Sequence, residues 1–138
     1  MTNLQAALGV AQLEKMETHI QRKRAIGEQY RFGLKDIIGF QLPLKKTDYA
    51  ENIYWVFGLV ADSEAQQEAM VKKLGEAKIG TRPFFWCTHE QPVFKKMGLF
   101  ENESYPVAER LARNGFYIPS GLGLSDEEVD VVIKSIIE

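Results

Sequence analysis

Apolar and polar positions change their spacing several times along this chain, and each change marks an element. From Thr2 or Asn3, either of which can cap a helix, good helix formers run almost unbroken to about Phe32. Such a run predicts a rod roughly 45 Å long, more than a domain of this size needs. Its two halves differ. Leu4, Ala6, Ala7, Leu8, Val10, Ala11 and Leu13 are spread around the first turns, so apolar groups face several directions. The second half sets Glu17, Gln21, Arg22, Lys23, Arg24 and Glu28 outward, with Met16, Ile20, Ile26 and Tyr30 inward. A helix that is apolar on all sides must be covered on all sides. The first half is therefore expected to lie against a partner subunit or a larger domain.

Gly33 fits a left-handed helix stop, and a short apolar stretch follows at residues 37–44. Residues 45–52 are polar and read as a loop. Residues 53–61, rich in β-branched and aromatic side chains, form the strongest strand pattern, and their near-continuous apolarity predicts burial on both faces. Ser63 with Gln66 makes a capping-box pattern ahead of a helix whose apolar positions include Met70, Val71 and Leu74, with Ala77 and the stem of Lys78. Residues 79–84 are a second strand candidate, and residues 93–97 a short helical turn ended by Gly98. Ser104 is placed to cap a helix with Pro106 in its first turn and Ala108, Leu111 and Ala112 inward, ended by Gly115. Residues 116–118 are one more strand. After a loop with two glycines, Ser125 and Glu128 form another capping box, and Val129, Val132, Ile133 and Ile136 make a helical stripe. The expected fold is α+β: a small sandwich of helices packed on a three- or four-stranded sheet, in one domain spanning residues 1–138.

The 138 residues, 45% hydrophobic, are enough to bury a core without disulfides, and Cys87 is the only cysteine. A net charge of −2 gives no general attraction to nucleic acid or anionic membrane, and no apolar run reaches membrane-spanning length. The expected location is the cytoplasm. Isolated motifs carry little chemistry. Cys87 and His89 lack a second ligand cluster, since the only other histidine is His19 on the long helix, so no metal site is expected. The same pair lacks an orienting acid for nucleophilic catalysis. Gly121 and Gly123 are not followed by the lysine of a phosphate loop. The basic run at Arg22, Lys23 and Arg24 reads as a solvated helix face, and the acidic run at residues 126–128 suits a helix first turn.

The densest chemistry lies at residues 80–92, GTRPFFWCTHEQP. Pro83 and Pro92 resist regular helix, so the segment leaves a strand and runs as a shaped loop. A cation, flat rings and an imidazole on one loop suit a ligand that is part phosphate and part ring. The same aromatics equally suit a core or a domain interface.

MTNLQAALGVAQLE at residues 1–14, GTRPFF at 80–85 with HEQP at 89–92, AER at 108–110, GFYIPSGL at 115–122 and LSDEEV at 124–129 occur in register. Together they resemble the C-terminal third of the DegT/StrS family of sugar aminotransferases, and the central loop is particularly similar to perosamine synthases. The resemblance implies the small domain of a pyridoxal-phosphate enzyme of aspartate-aminotransferase type (fold type I), a homodimer that aminates a nucleotide-linked keto-sugar in amino-sugar and surface-polysaccharide biosynthesis. Residues 1–33 would then be the helix connecting to a large cofactor domain. Arg82, Phe84, Phe85, Trp86 and His89 would contact substrate, with Arg82 and His89 toward phosphate or sugar oxygens. None of the chain's lysines stands in a motif matching the family's Schiff-base lysine. The expectation is therefore a piece without catalytic or cofactor-binding residues of its own, inactive alone and binding no pyridoxal phosphate, and self-associating through the N-terminal helix. The alternative is a stand-alone sugar-nucleotide-binding or dimerisation module.

Overall fold

Two helices, not one rod, open the chain in the computed structural model, which describes all of residues 1–138. α1 (Asn3–Glu14) starts on a complete capping box between Thr2 and Gln5. At Lys15 the backbone departs from helical geometry (φ −106°, ψ 4°), and α2 (Met16–Gly33) begins. The elements that follow are β1 (Phe40–Gln41), β2 (Phe57–Ala61), α3 (Glu64–Glu76), β3 (Arg82–Pro83), a 3-10 turn (Thr88–Glu90), α4 (Pro92–Lys96), α5 (Pro106–Asn114), β4 (Gly115–Ile118) and α6 (Asp126–Ile137). The strands form one antiparallel sheet in the order β1-β2-β4-β3. The α+β expectation holds. No helix is long and apolar enough to cross a membrane.

Register decides what each face of the sheet carries. Phe57 pairs with Ile118 and Leu59 with Phe116, so these four side chains share a face. That face meets Ile26, Tyr30 and Leu34 from α2 and its exit, Leu74 from α3, and Val129, Val132, Ile133 and Ile136 from α6. The stripe read from the last helix is entirely buried. Tyr30 lies in this core and donates its hydroxyl to the Pro119 carbonyl at 2.7 Å, so its polar end is satisfied as its ring packs 5.0 Å from Phe57.

Several local expectations change. Gly33 does not adopt a left-handed stop; it stays in α2, where an added Cβ would sit 2.7 Å from Ile133. Close helix packing, not chain reversal, demands glycine there. The left-handed glycine of this region is Gly39, at φ 81°. The strand pattern at residues 53–61 pairs only from Phe57. Upstream, Tyr54 is left-handed at φ 53° and fully packed, with its N–H donating to Asn52 Oδ1 at 2.7 Å. That reversal turns Trp55 outward, where it is 69% exposed. Met16 is half exposed, not inward. The basic run on α2 is not a solvated face: Arg22 donates to the Leu124 carbonyl and pairs with Asp126 at 2.7 Å, and Lys23 donates to the Ser120 carbonyl. These two cations fasten the glycine-containing loop, whose free carbonyls need donors. Ser63 caps α3 through the Gln66 N–H at 3.3 Å, without the reciprocal contact of a full box. Lys78 lies beyond the end of α3, exposed and left-handed at φ 60°.

Candidate functional site

The sheet face opposite the core carries Gly58, Tyr117 and Arg82, which lie in register across three strands. Glycine at two positions makes room there for a ring. A Cβ on Gly58 would come within 2.6 Å of Phe84, and one on Gly115 within 2.3 Å. Phe84 lies over both and stacks on Tyr117, centroids 4.5 Å apart, held by its N–H bond to the Gly115 carbonyl. Phe85 meets the same tyrosine edge-on at 6.3 Å and remains 77% exposed. β3 is an edge strand, so Pro83 costs the sheet no internal hydrogen bond. Arg82 is exposed and enters no ion pair within the chain. The result is a cationic, aromatic platform open to solvent.

Beyond the platform the loop is gripped by α5. His89 Nε2 lies 3.0 Å from Glu109 Oε1, and its ring meets Tyr105 edge-on at 5.0 Å. The same Glu109 oxygen accepts the Tyr105 N–H at 2.7 Å and the Ser104 hydroxyl at 3.2 Å. Ser104 therefore does not cap α5; Glu109 satisfies the free N–H at Tyr105 instead. The Tyr105 backbone bond, with further help from His89 and Ser104, holds the Glu109 carboxyl below its usual range, against a smaller opposing push from desolvation. One turn on, Arg113 pairs with Glu90 and lies 5.3 Å from the Trp86 ring centroid, with Glu64 at 3.9 Å. Glu90 raises the Arg113 pKa further above its ordinary value.

The five residues singled out in the sequence thus fall into two groups. Arg82, Phe84 and Phe85 belong to the platform, while Trp86 and His89 belong to the grip of α5. None of the three aromatics is a core residue. Tyr117, Glu90, Glu109 and Arg113 were missed. Tyr117 had a signal, since alternation along β4 puts it on the opposite face from Phe116 and Ile118. Glu109 and Arg113 had one too, an acid and a base four apart on a helix.

His89, Glu90 and Glu109 offer ligand atoms within 4.8 Å of one another. Each is already engaged: Glu90 by Arg113, and His89 and Glu109 by each other. These contacts make the cluster a clamp between the loop and α5. A cavity of about 480 Å³ beside it is lined by Glu90, Glu101, Glu103 and Glu109, with Lys95 as the only cation. That lining is unfavourable to phosphate, whereas Arg82 on the platform presents a cation with no ion-pair partner in the chain.

This α+β arrangement of a sheet packed by helices recurs in solved sugar aminotransferases. Spr1654 of Streptococcus pneumoniae, assigned as a sugar aminotransferase and solved in its PLP form, matches 99% of this chain and 35% of its own (TM-score 0.87, 25% identity). The chain belongs to the DegT/DnrJ/EryC1/StrS aminotransferase family, which matches residues 1–137. GDP-perosamine synthases are among its relatives: that of Vibrio cholerae is 31% identical over 139 residues, and that of Escherichia coli 30% identical over 138. These alignments take in 99% and 100% of this chain but 36% of each relative, so the chain spans about a third of their length.

Pyridoxal phosphate needs an uncommitted lysine in a cavity, an acid for its ring nitrogen and a cup for its phosphate. Three cavity-lining lysines do not provide this. Burial lowers the Lys23 pKa, but its ammonium is spent on the Ser120 carbonyl; Lys45 is paired with Glu28 at 3.1 Å, and Lys95 stands among carboxylates. None of these three lysines is free for the cofactor.

Proposed function

We infer that this chain supplies the substrate-facing part of a pyridoxal-phosphate sugar aminotransferase, acting on a nucleotide-linked keto-sugar as its perosamine-synthase relatives suggest. Family membership along residues 1–137, together with the open platform of Arg82, Phe84 and Phe85, carries this reading. Arg82 is placed to meet a phosphate oxygen, and the exposed rings are placed to take the flat faces of a base or the apolar face of a sugar. Trp86 and His89 complete the loop as further substrate-facing candidates. The cofactor and its Schiff-base lysine would come from another polypeptide segment, and the chain by itself would not transaminate.

The test has two parts. The pure chain is incubated with a GDP-linked 4-keto-6-deoxy sugar, glutamate and pyridoxal phosphate, and amino-sugar formation is followed. A second sample is mixed with one equivalent of pyridoxal phosphate, reduced with borohydride and mapped by mass spectrometry. No turnover and sparse labelling scattered over surface lysines are expected. Turnover, or one lysine labelled at high yield, would refute the assignment of the chemistry to another segment. Fractionation of cells should place the chain in the cytoplasm.

A second reading, a dimerisation module, is favoured by one observation: α1 has no buried residue, and Leu4, Leu8, Val10 and Leu13 are all exposed. In that reading α1 pairs with a second copy of the chain. Sedimentation should show association that Leu8→Glu weakens; a clean monomer at high concentration contradicts it.

A further inference from the structure

We propose that Glu109 and Arg113 are positioning residues, which set the shape of the substrate loop from beneath without touching the ligand. The inference rests on the substrate-facing reading of residues 82–89. Both side chains project from α5 four residues apart, and each holds a different point of the loop. Glu109 takes His89, and its three bonds to His89, Tyr105 and Ser104 tie the 3-10 turn to the start of α5. Arg113 takes Glu90, the last residue of that turn, while its guanidinium faces Trp86. The segment between platform and turn is thus fixed at both ends: at Phe84 by the sheet, and at residues 86–90 by α5.

Glu90 shows why the grip sets shape. Its side chain is only 16% exposed, and one of its oxygens, Oε2, is buried with no hydrogen-bond partner in the chain. A carboxylate so placed stays only while a cation faces it, because a buried charge stripped of its partner is strongly disfavoured. Without Arg113, Glu90 would swing to solvent and draw the 3-10 turn with it. Trp86 would lose the guanidinium beside it at the same time. His89 is likewise only 10% exposed, and Glu109 is its only hydrogen-bonded side-chain partner.

The test uses the full chain carrying Trp55→Phe, so that Trp86 is the only indole. Amide exchange is measured at Glu90 and Gln91, whose N–H groups bond within the turn, and at Phe84, whose N–H bonds to β4 as an internal control. GDP is titrated in parallel by calorimetry. Glu109→Ala and Arg113→Met should each speed exchange at Glu90 and Gln91 and weaken GDP binding about tenfold, as expected when a charged partner is lost and its mates are left unpaired. Exchange at Phe84 should not change. Glu109→Gln, which keeps an acceptor, should restore much of both. Glu90→Gln combined with Arg113→Met should restore turn protection, because no buried charge is then orphaned. Unchanged exchange in both single variants overturns the proposal, as does faster exchange with GDP affinity intact. If the wild-type chain binds no GDP, the substrate-facing reading and the ligand half of this proposal fall together. The exchange data then still decide whether Glu109 and Arg113 hold the loop.

Discussion

α1 and α2 adjoin in sequence, and the more apolar of the two is the one that buries nothing. α2 carries Glu17, Arg22, Lys23, Arg24, Glu28 and Arg31, yet it supplies Ile26, Gly27 and Tyr30 to the core. What separates them is the direction of apolar surface, not its amount. α2 concentrates its apolar groups on one stripe that the sheet can cover, and its cations fasten the loop after β4. α1 spreads leucine and alanine around its axis, so no single neighbour satisfies it.

Substitutions in the two regions should differ most where the core is densest. Phe116→Ala, at a fully buried position, should cost about 3–5 kcal/mol by denaturant unfolding. Leu8→Ala on α1 should change the same measurement by less than about 0.5 kcal/mol. Equal losses would erase the contrast. Glycines sharpen it next. Gly27→Ala would put a Cβ 2.2 Å from the Tyr54 ring, which is held by its 3.1 Å bond to Glu28 and by Phe57 at 5.8 Å. Overpacking there should cost about 1–3 kcal/mol. Gly9→Ala on α1 meets nothing within 4 Å and should stabilise that helix by about 0.5–1 kcal/mol, visible as added helicity.

The pH responses are smaller and follow the packed half. Burial, with Glu28 adding to it, pushes the Tyr54 hydroxyl up to about 12. A raised pKa means the folded state keeps a proton that the unfolded chain has released. Stability from this group is therefore complete below about pH 10 and declines as pH rises toward 12. Tyr54→Phe should flatten unfolding midpoints across that window. Glu109 works in the opposite sense. Its lowered pKa contributes stability above the ordinary carboxylate range, lost as pH falls below it. Protection of the Tyr105 N–H, measured against its intrinsic exchange rate at each pH, should fall on acidification, and Glu109→Gln should remove that dependence.

Much of the fold was legible because it rests on short-range chemistry. The stripe on α6, the helix cap at Thr2, the capping box of Ser125, and the strand at residues 116–118 all followed from spacing and local hydrogen-bonding preference. Tyr54 was illegible. A tyrosine within an apolar, β-rich run looks extended, and only its packing against Gly27 together with the Asn52 acceptor holds it left-handed. The site divided in the same way. The loop at residues 80–92 stood out by composition, but its separation into an open platform and a gripped turn depends on Gly58, Gly115, Tyr117, Glu109 and Arg113, all distant in sequence from most of it.

By itself, then, the sequence determined the order of elements, the α+β class, the amphipathic faces that form the core and the segment densest in candidate ligand chemistry. These are set by side-chain periodicity and by caps within a few residues of one another. The tertiary structure decided which glycines serve close packing, which cations hold the loop after β4, and which side of the loop stays open. Those outcomes depend on contacts between residues tens of positions apart, whose partners local pattern does not name.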